Sequence, residues 1–234
     1  MPGLIPDAGP GWETILLLPV PAAEPAVGRH RARLVESARG GVPAHITVLY
    51  PFLPPTGIGE PLLASLGRLF AGFAAFEFTL DRVGWFGEEV VWLGPRDPAP
   101  FRALTSAAFT AFPACPPYGG QHAEGHSPHL TIGKAGGQQA LRAAAESVRP
   151  CLPIEATAAE VTLMAGPRPG TPDTPPGQWR TIAAFPSASA CPGFRSGRGN
   201  CSGRRLQSSN VNWRRGIFVV RGHGPSGRQQ RGRR

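Results

Sequence analysis

Two four-residue strings in this chain carry the same chemistry. They are His45-Ile46-Thr47-Val48 and His129-Leu130-Thr131-Ile132, 84 residues apart, and each follows a loop punctuated by proline. In an extended strand side chains alternate between faces, so each His and Thr share one side while the apolar residues point into a core. Two imidazoles suit a phosphodiester reaction. With an unperturbed pKa of about 6.5, one can be neutral and accept a proton from an attacking water or hydroxyl. The other, protonated, gives one to the departing oxygen. The threonine hydroxyls can donate hydrogen bonds to the non-bridging phosphate oxygens and stabilise the charge that builds there. This chemistry requires neither a metal nor an organic cofactor, and none is expected. His45 and His129 are the candidate catalytic pair, and Thr47 and Thr131 the candidate phosphate-binding pair. One His-x-Thr alone reads as an ordinary strand segment. The second copy, in matching surroundings, is what argues for function.

The elements around the motifs repeat as well. Residues 14–20 read as a buried strand closed by prolines, and 24–39 as a helix ending at Gly40-Gly41. The first motif strand, 44–52, runs into Pro54-Pro55. Leu62, Leu63, Leu66, Leu69 and Phe70 recur at helical spacing within 59–72. Residues 76–83 alternate like a strand, and 90–93 like its hairpin partner. The second half brings a helix at 98–112, the motif strand at 129–134, and an Ala-rich helix to 149. Strands at 153–165 and 178–185 follow, separated by a Pro/Gly/Thr-rich loop at 166–177. Helix, motif strand, helix, strand, strand thus occurs twice, which predicts an internal duplication. The expected domain covers residues 12–186, with lobes at about 12–96 and 97–186.

Paired His-apolar-Thr-apolar strings on duplicated halves resemble the two-histidine (2H) phosphoesterase superfamily. Length and element order resemble its 2′-5′ RNA ligase-like branch, over residues 12–186 with both motifs intact. The resemblance implies a bilobal α+β fold, with two antiparallel sheets facing a central cleft and helices outside. It implies an enzyme that opens 2′,3′-cyclic phosphates at RNA ends or on nucleotides to 2′-phosphomonoesters, without a metal. The related 2′-5′ ligation is the reverse reaction open to members of the branch. RNA ends or small cyclic nucleotides are then the expected partners, and a monomer the expected state. The reading from a different class is a non-catalytic phosphate or nucleic-acid-binding module that uses the basic tail.

Other residues carry weaker signals. His122, His126 and His129, with Glu124 nearby, form an HxxxHxxH pattern whose ligand types suit zinc. Gly125 and Pro128 break the helix that would align an i, i+4 pair, so no metal site is expected. His122 and His126 read as residues of the loop into the second motif strand. Tyr50, Trp85, Phe86, Trp92 and Tyr118 offer rings on which a base could stack. Trp92, within an apolar strand, reads as core. Trp85 and Phe86, between Gly84 and Gly87 at a hairpin tip, are candidate substrate-binding residues. Arg168, on the loop from Gly166 to Gly170, is a third, able to neutralise phosphate charge; an exposed loop arginine is the equal alternative. Lys134, ending the second motif strand, reads the same two ways.

Charge needs to be apportioned before it is interpreted. The chain holds 24 Lys and Arg against 15 Asp and Glu, but residues 187–234 contain eleven arginines and no acidic residue. The remaining 186 residues are left with 13 basic and 15 acidic side chains, so the body is nearly neutral. Any argument from net charge to nucleic acid therefore concerns the tail alone. The tail is rich in Ser, Gly and Arg and lacks a sustained hydrophobic period, so it reads as disordered. It fits a nucleic-acid-binding arm, inert disorder or an unselected reading frame, the last two better than the first. No apolar run reaches the roughly 18 residues of a membrane span. Glu13, not a basic cluster, precedes the run from Ile15 to Val20, so no signal peptide is expected. Cys115, Cys151, Cys191 and Cys201 show no C-x-x-C spacing, which fits unpaired thiols in a reducing cytoplasm.

Overall fold

The structure, a computed structural model, describes residues 5, 8, 11–120, 127–168, 170 and 178–188. The readings attached to His122, Glu124 and His126, to most of the 169–177 loop and to the tail from 189 onward lie outside the described residues. Strand β1 (Trp12–Pro19) leads through helix α1 (Glu24–Leu34) and the short α2 (Glu36–Arg39) to β2 (His45–Leu49). Helix α3 (Glu60–Phe70), the hairpin β3 (Phe76–Phe86) and β4 (Val90–Pro95), and α4 (Ala99–Ala111) follow. The chain then forms β5 (Leu130–Gly133), α5 (Gln138–Val148), β6 (Ile154–Ala158), β7 (Glu160–Pro167) and β8 (Arg180–Pro186). Among the described residues no helix is long and apolar enough to cross a membrane.

The strands make two four-stranded antiparallel sheets, ordered β2-β1-β7-β8 and β5-β4-β3-β6. Both motif strands occupy sheet edges. Each pairs with the strand that precedes its helix: Leu17 lies opposite Thr47 across β1 and β2, and Trp92 opposite Thr131 across β4 and β5. The repeat is therefore strand, helix, motif strand, helix, strand, one element earlier than the sequence periodicity suggested. Strands are also exchanged between the sheets: β3, last in the first copy, joins the sheet of β4, and β7, one strand after the second copy ends at β6, joins the sheet of β1. A cut at residue 96 thus leaves the two sheets unseparated, and the lobes at 12–96 and 97–186 each hold strands of both.

Two further sequence readings shift for physical reasons. The helix expected over 24–39 breaks at Val35, which is extended (φ −132°, ψ 113°). The break coincides with a bond from the Lys134 amide to the Leu34 carbonyl at 3.0 Å, which docks the helix end on β5. The strand expected over 153–165 divides at Ala159, and β6 and β7 pair in different sheets. Elsewhere local chemistry matches the elements. Helix α3 opens on Glu60-Pro61, an acid and a proline in the first turn, and buries Leu66 and Phe70. Helix α5 buries Leu141, Ala144, Ala145 and Val148 on one face.

One hydrophobic core joins the helices to both sheets and includes Leu16, Leu18, Ile46, Val48, Phe70, Leu80, Leu93, Leu130, Ile132 and Leu163. Strand β1 is apolar on both faces. Leu16 and Leu18 enter this core, while Ile15 and Leu17 form a second cluster with Val42, Met164 and Trp179. That explains the uninterrupted apolar run that ends this strand. The second cluster depends on Gly166, where a Cβ would overlap the Trp179 indole.

Candidate active site

The alternation read from the sequence sets the site. On β2 the side chains of Ile46 and Val48 are buried in the core, while His45 and Thr47 are partly open. On β5 Thr131 is partly open between buried Leu130 and Ile132, with His129 directly before the strand. All four polar side chains line one cavity of about 130 Å³, in which β2 approaches β5. Arg31, Tyr50, Tyr118, Lys134 and Trp179 complete the part of its wall that bears on the chemistry.

The two imidazoles are anchored alike. His45 Nδ1 lies 2.8 Å from the Pro43 carbonyl, and His129 Nδ1 lies 2.8 Å from the Ser127 carbonyl. A carbonyl oxygen only accepts, so Nδ1 carries the hydrogen in both rings. In the neutral form of each, the basic lone pair then belongs to Nε2.

Their surroundings differ. The pKa of His45 is lowered to about 3, first by burial and then by the Arg31 guanidinium; charge on His129 and Lys134 acts in the same sense, and the Pro43 carbonyl bond opposes it. Near neutral pH His45 is uncharged. His129 is surrounded by aromatic rings. Phe86 meets it edge-on at 4.9 Å between centroids, Tyr118 stacks at 6.4 Å with planes 21° apart, and Trp92 lies tilted at 6.1 Å. Gly84 allows this packing, because a Cβ there would overlap the Trp92 ring.

Tyr118 links the motifs. Its hydroxyl bonds to Thr47 while its ring stacks on His129. Burial pushes its phenol up to about 12, with the Thr47 bond opposing, so it stays neutral and able to donate. Its backbone is left-handed (φ 52°, ψ 35°), a conformation that costs a non-glycine residue about 1–3 kcal/mol. A 2.6 Å bond from its amide to the Tyr50 carbonyl holds it there. Tyr50 in turn donates its hydroxyl to Glu13, and burial followed by that bond raises its pKa.

The remaining sequence candidates fall in different places. Phe86 is 40% exposed beside His129, at the tip of the β3–β4 hairpin. Trp85, its neighbour on the strand, faces the other way, into a groove with Gln138, Arg142 and Arg149, and does not line the cavity. Arg168 stands back from the cavity, its Nε 3.4 Å from Glu13 Oε2, so its link to the site runs through Glu13 and Tyr50. Lys134 lines the wall. Trp92 packs behind His129 rather than deep in the core. Sequence reasoning missed Arg31 and Trp179. Arg31 sits between Arg29 and Arg33, and only its two-turn spacing from Glu24 distinguishes it. No group of three or more His, Cys, Asp or Glu among the described residues is placed to hold a metal ion, and Cys115 and Cys151 are unpaired.

Twin edge strands thus present His and Thr to one cavity, on two antiparallel sheets with exchanged strands. Residues 19–168 match the family model of the 2′-5′ RNA ligase superfamily, and the chain belongs to that superfamily. Its fold is similar to that of Escherichia coli LigT in apo form, at 19% identity and TM-score 0.44, covering 75% of this chain and 96% of that one. It is also similar to E. coli LigT complexed with 3′-AMP, at 19% identity and TM-score 0.44, covering 76% and 98%. The third similar structure is TT0787 of Thermus thermophilus, at 17% identity and TM-score 0.44, covering 76% and 98%. Comparison with curated protein sequences gives no match.

Proposed function

We propose that this protein is a metal-independent cyclic phosphodiesterase that opens 2′,3′-cyclic phosphates at RNA ends or on nucleotides. The supporting observation is that His45, Thr47, His129 and Thr131 line one cavity. Water attacks phosphorus as one imidazole takes its proton, and the P–O3′ bond breaks as the other imidazole protonates O3′. The product is a 2′-phosphomonoester with a 3′-hydroxyl. A ribose 5′-hydroxyl attacking in place of water would yield a 2′-5′ linkage, the ligation counterpart. Thr47 and Thr131 bond the non-bridging oxygens as charge accumulates.

A cavity of about 130 Å³ is close to the roughly 150 Å³ that encloses one benzene ring. It takes the phosphate, and the base must lie over the rim. Phe86, exposed beside His129, offers the stacking surface there.

His45→Ala and His129→Ala are each expected to abolish opening of 2′,3′-cyclic nucleotides while circular dichroism and melting stay those of the wild type. Wild-type turnover is expected to survive EDTA and to leave phosphate on the 2′ position. Full activity in both variants, or loss of activity with EDTA, would overturn the proposal. If no turnover is seen and truncation after Pro186 abolishes RNA binding, the chain is a binding module that works through its tail.

A further inference from the structure

Arg31 belongs to neither motif, yet its guanidinium is bonded to the backbone around both. It lies on α1 and is 2% exposed. Nη1 donates to the Thr131 carbonyl at 2.5 Å, and Nη2 donates to the Pro43 carbonyl at 2.9 Å and the Val42 carbonyl at 3.3 Å. One buried cation therefore joins the backbone of the second motif threonine to the segment leading into the first motif. The Pro43 carbonyl is the same oxygen that accepts from His45 Nδ1. Glu24, two turns earlier on α1, accepts the Ala44 amide at 2.5 Å, so the helix holds residues 42–44 from both sides. His129 has the same kind of anchor, the Ser127 carbonyl taking its Nδ1, but three aromatic rings surround it.

We propose that Arg31 is a positioning residue that makes the twin histidines unequal: it fixes Pro43 against Thr131 and reserves proton acceptance for His45, leaving proton donation to His129. The inference rests on the phosphoesterase reading given above. The charges facing His45 come from two directions, Arg31 on α1 and His129 and Lys134 at the two ends of β5, and all three oppose a proton on it. Tyr118 and Tyr50, which complete the wall, are neutral phenols, and Glu13 is engaged by Tyr50 and Arg168. Arg31 is the largest of these influences after burial itself. A proton on His45 is therefore disfavoured. A guanidinium is suited to this place because its planar fork serves three carbonyls at once and stays charged when buried.

The test follows imidazole resonances through pH titration of the full chain, with His45→Ala and His129→Ala used to assign them. Arg31→Gln keeps donors and removes the charge; Arg31→Lys keeps the charge on a single ammonium. In the wild type His45 is expected to be still neutral at pH 5. In Arg31→Gln the His45 midpoint is expected to rise by about one unit, a tenfold gain in proton affinity, while Arg31→Lys stays near the wild type. Equal midpoints in all three proteins, or equal shifts in both variants, would show a merely structural residue and overturn the proposal. An activity arm needs no Arg31 variant to fold. A p-nitrophenyl phosphodiester, whose leaving phenolate needs no proton, is expected to rescue His129→Ala and not His45→Ala. Rescue of His45→Ala instead would reverse the roles and overturn the assignment. Absence of all turnover in the wild type would sink the phosphoesterase reading alone, because the titrations report on Arg31 without it.

Discussion

A histidine held neutral by its surroundings must leave a mark on stability. His45 takes up its proton at about pH 3 in the folded protein, against about 6.5 in an unfolded chain. Between those values the unfolded state binds a proton that the folded state refuses. Stability therefore rises with pH across this window, is fully present above 6.5, and is lost progressively as pH falls toward 3. From pH 6.5 to pH 5 the loss is about 2 kcal/mol at about 1.4 kcal/mol per unit, reduced to about 1–2 kcal/mol by water in the open side of the cavity. His45→Asn is the informative perturbation, because its side-chain amide can still donate to the Pro43 carbonyl but cannot titrate. Urea unfolding of both proteins at pH 7 and pH 5 gives the difference of differences, in which all other titrating groups cancel. The wild type is expected to lose about 1–2 kcal/mol more than His45→Asn. Equal losses would refute the claim that burial and Arg31 hold His45 neutral, and with it the case for His45 as the base.

Two shorter expectations concern the aromatic side of the site. Tyr118→Phe keeps the ring on His129 and removes the hydroxyl from Thr47; losing one hydrogen bond of about 1 kcal/mol should lower kcat/KM about fivefold, whereas Tyr118→Ala should lower it further by releasing His129. Phe86→Ala should raise KM for substrates with a base, in steady-state kinetics on 2′,3′-cyclic nucleotides, by about 5–30-fold for the loss of about 1–2 kcal/mol of stacking, and Trp85→Ala should leave KM unchanged because Trp85 faces the groove beside α5.

The sequence announces the motif residues because their signal is local. A period of two places Ile46 and Val48 inward and His45 and Thr47 outward wherever the strand lies, and the same holds for Thr131 between Leu130 and Ile132. The same period could have separated Trp85 from Phe86, since neighbours on a strand face opposite ways. Partner choice is not local. Nothing in residues 153–165 marks Ala159 as the point where the chain leaves one sheet for the other, because hydrogen bonds to β3 and β1, far away in sequence, decide it. Arg31 was hidden for a related reason. Arg29 and Arg33 offer the same side chain in the same helix, and only the three-dimensional position of three carbonyls selects the middle one.

Strand exchange makes a firm demand on any attempt to divide the molecule. A break after Pro95 would give a first fragment with β1 and β2 from one sheet and β3 and β4 from the other, and a second fragment holding the remaining pairs. In the first fragment β1 loses β7, its partner from Trp12 opposite Pro167 to Leu17 opposite Thr162. It would become an edge strand that is apolar on both faces, a template for aggregation. Strand β3 loses β6 over Phe76 to Leu80, and the His45 strand loses the Arg31 bond to Thr131. Isolated two-stranded units are at best marginally stable in water. Each fragment made alone should therefore be unfolded or insoluble by circular dichroism and NMR, and the two made together should recover a common fold with both histidines in one cavity. A first fragment that folds alone would mean that the lobes are self-contained. The exchanged pairing of β3 and β7 would then be wrong, and so would the account of how the two motifs are held together.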